Sequence, residues 1–242
     1  MAKIHMVLQG KGGCGKSYIS SIIAQYIMYK YNIIPNCIDT DPVNSTFSGY
    51  KSLNVSTIHL LENDEINTRN LDKLIELISE TQIDVVVDNG AATFVPLAHY
   101  IITNQIADLL ESFGHKLIVH TVVTGGQALM DTINGFAQLI RQFPENIDFV
   151  VWLNEYWGKV EAQSKRFEEM KIYKESKDRI SSIIRIPAVK AETFGEDISE
   201  MLKNKKTFDE SINDENLSIM NRQRLKIYKS SLFANINLVA DI

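Results

Sequence analysis

The residues best suited to chemistry stand near the start of the chain, in the stretch GKGGCGKS from Gly10 to Ser17. Four glycines and two lysines share these eight positions. Glycine at this density destabilises a helix or strand interior, because it loses much conformational entropy on folding and has no side chain to pack. The stretch is therefore predicted to be a loop. Glycine N–H groups beside lysine side chains suit the binding of an anion.

The spacing G-x-x-x-x-G-K-S is that of a phosphate-binding loop, provided that a strand precedes it and a helix follows, as the pattern here predicts. The glycines let backbone N–H groups turn inward at the positive end of the helix. Lys16 is expected to reach the β- and γ-phosphates of a nucleotide, and the Ser17 hydroxyl to coordinate the bridging Mg²⁺. Cys14, at the variable position, is expected to be a small spacer. The predicted nucleotide-binding residues of this run are Gly10, Lys11, Gly12, Gly13, Cys14, Gly15, Lys16, Ser17 and Tyr18.

Lys11 follows the first glycine directly, too early in the loop for the role of Lys16. The string G-K-G-G-x-G-K-S resembles the deviant Walker A motif of the ParA/MinD group of P-loop ATPases. The resemblance implies ATP and Mg²⁺ as cofactors, and a homodimer that sandwiches the nucleotide. In such a dimer Lys11 would reach the partner's phosphates, so both Lys11 and Lys16 are predicted to be catalytic. The alternative for Lys11 is an ordinary solvated loop lysine.

Acidic side chains stand at the ends of two further predicted strands. The segment CIDTDP, Cys37–Pro42, resembles the D-x-D-P element of the same group. That resemblance implies that Asp41 orients the attacking water as a catalytic residue and that Asp39 lies nearer the metal, although the two roles could be exchanged. Asp88 matches the aspartate that helps to hold Mg²⁺, so the predicted metal ligands are Ser17, Asp39 and Asp88. Each aspartate taken alone would equally suit a turn or a helix cap.

Two later positions are assigned by the same resemblance. Asn154 closes the predicted strand that contains Trp152 and Leu153, and Pro187 follows Ile186 at the end of another. In the resembled group, an asparagine and an Ile-Pro segment at these places form the adenine pocket. We therefore predict that Asn154 and the backbone around Pro187 bind the nucleotide base.

Short β-rich runs alternate with longer segments of helical spacing along the chain, as in a parallel sheet covered by helices. Apolar residues at consecutive positions within several runs indicate strands that are buried on both faces. Helical spacing recurs at residues 71–78 and 129–140. The predicted fold is therefore a single-domain α/β P-loop NTPase over residues 1–242, with a mostly parallel sheet flanked by helices on both faces. The predicted strands are Ile4–Gln9, Ile34–Asp39, Asp84–Asp88, Lys116–Val123, Phe149–Asn154 and Ser181–Ile186.

The end of the sequence predicts a polar surface connection followed by a helix. Residues 203–216 are largely polar, and residues 217–242 are expected to form the C-terminal helix. From residue 221 onward, basic and apolar residues recur at helical spacing. Docking of this helix on its own sheet is the favoured interpretation. Contact with a membrane, DNA or a protein partner is the alternative.

The composition of the chain indicates its cellular compartment and limits the classes of partner. The chain has 242 residues and a formal charge of −5, which argues mildly against nucleic acid as the main partner. Its two cysteines, Cys14 and Cys37, lack metal-ligand spacing, and no signal peptide is evident, so a cytoplasmic protein is expected. Since the chain begins directly with a strand, we expect no separate DNA-reading domain before it.

Segments spread along the whole chain resemble the TraL-type family of conjugal-transfer proteins of broad-host-range plasmids. They include MAKIHMVLQGKGG, CIDTDPVN, HTVVTGGQAL, FVVWLNEYWG and MNRQRLKI. This resemblance implies a plasmid-encoded ATPase that serves conjugative DNA transfer, with a protein partner from the conjugation or partition machinery.

The favoured function is an Mg²⁺-ATP-dependent dimerisation switch with slow hydrolysis. Its chemistry would be phosphoryl transfer to water, in which the protein supplies positioning and charge. The main alternative is a binding module or scaffold with negligible turnover. A small-molecule kinase would leave Lys11 without a purpose. An iron–sulfur reductase would need cluster cysteines, and the two present are already assigned, Cys14 to the glycine loop and Cys37 to the end of the second predicted strand.

Overall fold

A seven-stranded parallel sheet forms the centre of the protein, in a computed structural model that describes residues 1–41, 44, 46–62 and 65–239. The strands in chain order are β1 (Lys3–Val7), β2 (Asn36–Asp39), β3 (Ser56–Thr57), β4 (Leu61–Glu62), β5 (Glu65–Ile66), β6 (Val85–Asp88), β7 (Lys116–Thr124), β8 (Asp148–Asn154), β9 (Glu161–Ala162), β10 (Lys165–Arg166) and β11 (Ile180–Arg185). The sheet has the order β11-β8-β7-β1-β6-β2-β3 with parallel pairing throughout. The pairs β4–β5 and β9–β10 are antiparallel hairpins outside it.

Helices cover both faces of this sheet. They are α1 (Lys16–Tyr31), α2 (Thr68–Ser79), α3 (Phe94–Thr103), α4 (Ile106–Ser112), α5 (Leu129–Gln142), α6 (Lys171–Ser176), α7 (Glu196–Lys203), α8 (Phe208–Ile212) and α9 (Ile219–Val239). Residues of α1, α7, α8 and α9 fill the core on one face. Residues of α2 to α6 pack into the core on the other. The predicted α/β class, a parallel sheet between two helical layers, is confirmed.

The apolar runs of the sequence have the burial that a two-sided sheet requires. In β6, Val85 and Val87 point into one core and Val86 into the other. Alternation of side chains along a strand explains why consecutive apolar residues are needed there. Helix α2 buries Leu71, Leu74, Ile75 and Ile78 along one face and begins after Asn67, whose side chain accepts the Asn70 N–H. The helical spacing at 71–78 and 129–140 is therefore confirmed in α2 and α5.

All six predicted strands are present, and no end is displaced by more than two residues. Ile34 was predicted to start β2, but it is exposed and precedes Pro35, so pairing begins at Asn36. The predictions omitted β3 and both hairpins, since strands of two residues are too short to show alternation. Pro42 of the D-x-D-P element, Asn63, Asp64 and residues 240–242 lie outside the described residues.

The region 203–216 was wrongly predicted to be only a surface connection. It contains α8, in which Phe208 is fully buried. The local reason is a capping box, since Thr207 accepts the Glu210 N–H and the Glu210 carboxylate accepts the Thr207 N–H. One buried ring in a polar stretch gives no periodic signal.

Helix α9 packs on the sheet, as the favoured interpretation of its sequence predicted. Its buried residues are Leu225, Tyr228, Leu232, Phe233 and Ile236. Two of its basic side chains make ion pairs within the fold, Arg224 with Asp197 and Lys229 with Asp209.

The topology brings distant segments together at one edge. Strand β1 lies between β6 and β7. The connection after β1 leads to β2 on one side of it, and the connection after β6 crosses to β7 on the other side. Because the strands are parallel, the carboxyl ends of β1, β2, β6 and β8 share one edge of the sheet, where open α/β folds bind ligands. The glycine loop, Asp39, Asp88 and Asn154 are all carried there.

Candidate functional site

The glycine loop joins the end of β1 to the first turn of α1, as the motif requires. Gly13 and Gly15 have φ angles of 70° and 106°, a region that disfavours residues with a Cβ. A Cβ built on Gly12 or Gly13 would meet no heavy atom within 4 Å, so the outer side of the loop is open. A Cβ on Gly15 would lie 2.9 Å from the Asn154 Nδ2 atom. Gly13 and Gly15 therefore allow the left-handed backbone of the loop, and Gly15 also allows Asn154 to pack closely against it.

Lys16 is the cation at the centre of the loop. It is only 8% exposed, and its ammonium donates a hydrogen bond of 3.1 Å to the Lys11 carbonyl oxygen. The Cys14 thiol donates to the same oxygen at 3.1 Å. Burial raises the pKa of Cys14, against the lowering effect of the Lys16 charge. These contacts support Cys14 as a small buried spacer and place Lys16 against the loop.

Asp88, at the end of β6, is buried beside the first turn of α1. The Ser20 hydroxyl donates to its Oδ1 atom at 2.8 Å. Burial raises the pKa of Asp88 to about 7, while hydrogen bonds from Ser17 and Ser20 lower it, neighbouring Asp39 raises it and Lys16 lowers it. Ser20 belongs to no motif, and its position three residues after Ser17 on a helix was the available signal.

Asp39 and Asp41 lie on the segment that leaves β2. The fully buried Asp39 carboxylate accepts the Asp41 N–H at 3.0 Å and the Ser48 N–H at 2.8 Å, one on each oxygen. Asp39 therefore holds the shape of this segment, and its role as a metal ligand stays a prediction. Asp41 is partly exposed, and a Cβ on Gly90 would lie 2.9 Å from its Cγ atom. The absence of a side chain at Gly90 thus admits the Asp41 carboxylate beside the end of β6.

A buried polar network joins these two segments. The Asn89 Oδ1 atom lies 3.0 Å from the Thr40 hydroxyl and 2.8 Å from the Thr93 hydroxyl, and both hydroxyls can donate to it. Thr40 follows β2, Asn89 follows β6, and Thr93 precedes α3. The network therefore connects the segment with Asp41 to the start of α3.

Asn154 contacts the glycine loop directly. Its Nδ2 atom donates to the Cys14 carbonyl oxygen at 3.1 Å, and its Oδ1 atom accepts the Tyr156 N–H at 3.1 Å. Pro187 is half-buried after β11. The roles of both in binding a base stay predictions. The Tyr18 hydroxyl, in contrast, lies 3.0 Å from that of Tyr228 in α9, so Tyr18 can serve a nucleotide through its backbone N–H and not through its ring.

Lys11 forms an ion pair that sequence analysis did not foresee. Its ammonium lies 2.7 Å from the Asp131 Oδ2 atom, in the first turn of α5. The side chains are 42% and 56% exposed, so the pair is solvated. No motif flags Asp131, because an acidic residue in the first helical turn is ordinary.

Two features are absent from residues 1–41, 44, 46–62 and 65–239. The helices in this part of the chain are too short or too polar to span a bilayer. In the same residues, no three His, Cys, Asp or Glu side chains cluster so that they could hold a metal ion by themselves. A cation at Ser17 and Asp88 would thus need further ligands from a nucleotide or water.

Comparison with known proteins places the chain in a family. Residues 6–105, fewer than half of the chain, match the model of a family described as RNA helicase. Two proteins named TraL from Escherichia coli are 60% and 58% identical over 240 residues, which is 99% of this chain and 99% of each of them. The chain belongs to the TraL family. This confirms the resemblance found along the sequence.

Among solved structures, this TraL-family chain is similar to a ParA family ATPase from Chlorobium tepidum TLS. The sequence identity is 14%, the TM-score is 0.49, and the match covers 94% of this chain and 98% of the other.

Proposed function

We propose that the protein binds Mg²⁺-ATP and hydrolyses it slowly, as a dimerisation switch that serves plasmid conjugative transfer from the cytoplasm. One observation carries the proposal. An open glycine loop, the buried Lys16 cation and the buried Asp88 carboxylate, which accepts the Ser20 hydroxyl, meet at the carboxyl edge of the sheet. Membership of the TraL family supports the conjugative role.

The residues present fit a nucleotide phosphate. The outer side of the loop at Gly12 and Gly13 is free of side-chain obstruction, and the loop ends at the amino terminus of α1, where unpaired N–H groups favour an anion. Lys16 supplies a cation on a long stem, which can leave the Lys11 carbonyl oxygen for a stronger, charged acceptor.

The residues also fit Mg²⁺. Ser17 and Asp88 provide a hydroxyl and a carboxylate, and such oxygen ligands suit this cation. The high pKa of Asp88 reflects a buried carboxylate with too little compensating charge, which a divalent cation would supply. When bound, the ion neutralises charge on the β- and γ-phosphates. Ser20 holds the Asp88 carboxylate in place.

Each catalytic residue has a task that its position allows. Lys16 stabilises phosphate charge, and Asp41 accepts a hydrogen bond from the attacking water and so orients it. Asp39 holds the Asp41 segment through its two backbone hydrogen bonds. Asn154 fixes the loop from the side on which the base is proposed to bind.

Lys11 is proposed to act across a symmetric homodimer. In this chain it is paired with Asp131, and an exposed pair of this kind contributes only about 0.2–1 kcal/mol. A γ-phosphate enclosed between two protomers offers more charge and less solvent, so exchange of Asp131 for the partner's phosphate is favourable. A dimer with two-fold symmetry would use two such exchanges. The surface that the ATP state presents would recruit a protein partner of the transfer machinery.

Light scattering with Mg²⁺ and a slowly hydrolysed ATP analogue tests the switch. The parent protein should become dimeric, and Lys11→Ala should bind the analogue but stay monomeric. Lys177→Ala is the control, since that exposed lysine precedes β11 at the opposite edge of the sheet. A parent protein that binds the analogue and remains monomeric would refute the sandwich. Steady-state phosphate release then separates a slow ATPase from a binding module.

A further inference from the structure

Gln9, the last residue before the glycine loop, ties the loop entry to both β7 and α5. Its side chain is fully buried. The Nε2 atom donates to the Val122 carbonyl oxygen at 2.8 Å and to the Thr132 carbonyl oxygen at 3.0 Å. Since both neighbours are acceptors, the amide nitrogen and not the oxygen must face them. Both amide hydrogens are therefore used.

The other side of the Gln9 amide fits against the backbone of α5. A Cβ on Gly135 would lie 2.0 Å from the Oε1 atom and 2.9 Å from Cδ, so the Gln9 amide in this position leaves no room for a side chain at residue 135. Within the described part of the chain, Oε1 has no hydrogen-bond partner. A buried acceptor without a partner is unfavourable, so an apolar residue would serve packing alone better. Compared with an apolar residue at position 9, glutamine contributes the two donated hydrogen bonds.

The α5 turn that Gln9 holds is the one that carries the partner of Lys11. The Thr132 hydroxyl accepts the Thr124 N–H at 3.1 Å, which adds a second tie between this turn and β7. The adjacent residue, Asp131, accepts the Lys11 ammonium at 2.7 Å. A closed ring of contacts is thus formed. It runs along the backbone from residue 9 to residue 11, through the Lys11 side chain to Asp131, along to Thr132, and back through the Gln9 side chain.

We propose that Gln9 is a positioning residue that fixes the first turn of α5 against the loop entry and so holds Lys11 on Asp131. The use made of Lys11 rests on the proposed function. The geometry of the ring does not, because every contact in it is made between residues of this chain. Gln9 would set how readily Lys11 is released toward a phosphate.

The reactivity of Lys11 toward a limiting acylating reagent tests this in the nucleotide-free full chain. Site-resolved mass spectrometry gives the acylation rate, with Lys177 as the internal reference. Gln9→Met keeps the side-chain volume but removes both donors. It should raise the Lys11 rate about two- to fivefold, the range expected for loss of an exposed ion pair. Asp131→Asn should do the same, and the double variant should add nothing further.

Gln138→Met is the matched control, since Gln138 is half-buried on the same helix, and it should leave the Lys11 rate unchanged. If Asp131→Asn exposes Lys11 while Gln9→Met does not, Gln9 has no positioning role. An additive effect in the double variant would overturn the proposal equally, because the two residues would then act separately.

Gly135→Ala separates positioning from packing. The new methyl group should displace the Gln9 amide, lower the unfolding temperature and release Lys11. Adding Gln9→Ala makes room and should restore the unfolding temperature, while Lys11 stays released because the donors are still missing. An acylation rate of Lys11 in Gly135→Ala as low as in the parent protein would contradict the proposal. The acylation and unfolding experiments measure neither ATP hydrolysis nor dimerisation. A protein that fails to hydrolyse ATP or to dimerise would therefore overturn the proposed function and leave the positioning role of Gln9 untouched.

Discussion

Replacement of Asp88 by Asn should stabilise the nucleotide-free protein above neutral pH, because it removes a buried charge. The Asp88 carboxyl is 1% exposed, and burial is the largest cause that raises its pKa to about 7. An unfolded aspartate has a pKa of about 3.9, so folding raises the value by about three units, at about 1.4 kcal/mol each.

The sign of the effect follows from proton linkage. A folded-state pKa above the unfolded value means that the native state binds the proton more tightly. The stability contribution of Asp88 is therefore fully present below about pH 4 and is lost as the pH rises through about 7. Above that pH the penalty approaches about 4 kcal/mol, as an upper limit. Asparagine gives up part of the hydrogen bonding from Ser17 and Ser20, so a net gain of about 2 kcal/mol is expected.

Urea unfolding in the presence of a chelator measures this gain. The free energy of unfolding of Asp88→Asn should exceed that of the parent by about 2 kcal/mol near pH 8, and the difference should shrink near pH 5. Asp178→Asn, at an exposed position, reports any effect of net charge alone. Equal stabilities of parent and Asp88→Asn near pH 8, or a difference that grows on acidification, would refute the reasoning. The same variant should bind Mg²⁺-ATP more weakly, so that stability is gained where function is lost.

Three further predictions concern the site and the core. Lys16→Ala should weaken Mg²⁺-ATP binding about 10- to 100-fold by calorimetry, since a charge-assisted contact is lost; unchanged affinity in a folded variant would contradict the phosphate-loop assignment. Asp41→Ala should keep ATP binding but slow phosphate release about 100-fold or more, through loss of the water-orienting acceptor; if Asp39→Ala does this and Asp41→Ala does not, the two roles are reversed. Phe208→Ala should lower the free energy of unfolding by about 3–5 kcal/mol in urea titrations, and a loss below about 1 kcal/mol would mean that the ring is not part of the core.

The site and the fold were predictable where the chemistry is local. The positions of Gly13 and Gly15 follow from backbone conformations that other residues adopt only with strain. Asp39 and Asp88 were placed because each ends an apolar run, and parallel strands bring their carboxyl ends to one edge. The helical period of α2 and α5 likewise identified their buried faces. In each case the determining pattern lies within about ten consecutive residues.

Other features were not predictable from such patterns. Phe208 and the capping box of α8 lie in a stretch whose composition is polar, and Ser20 is one of three serines on α1, marked only by its spacing from Ser17. The assignment of Asp39 as a metal ligand did not anticipate that backbone N–H groups would occupy both of its oxygens.

The sequence by itself determined the alternation of the six longer strands with helices, the glycine loop between β1 and α1 and, through its resemblance, the TraL family. Only the tertiary structure decided which side chains meet around that loop. Lys11 and Asp131 are 120 residues apart, Gln9 and Thr132 are 123 apart, and Asn154 is 140 residues beyond Cys14. The physical reason is that periodicity specifies which face of an element is buried. The partner of a polar side chain is selected by the space and the unpaired hydrogen-bonding groups left when those faces pack.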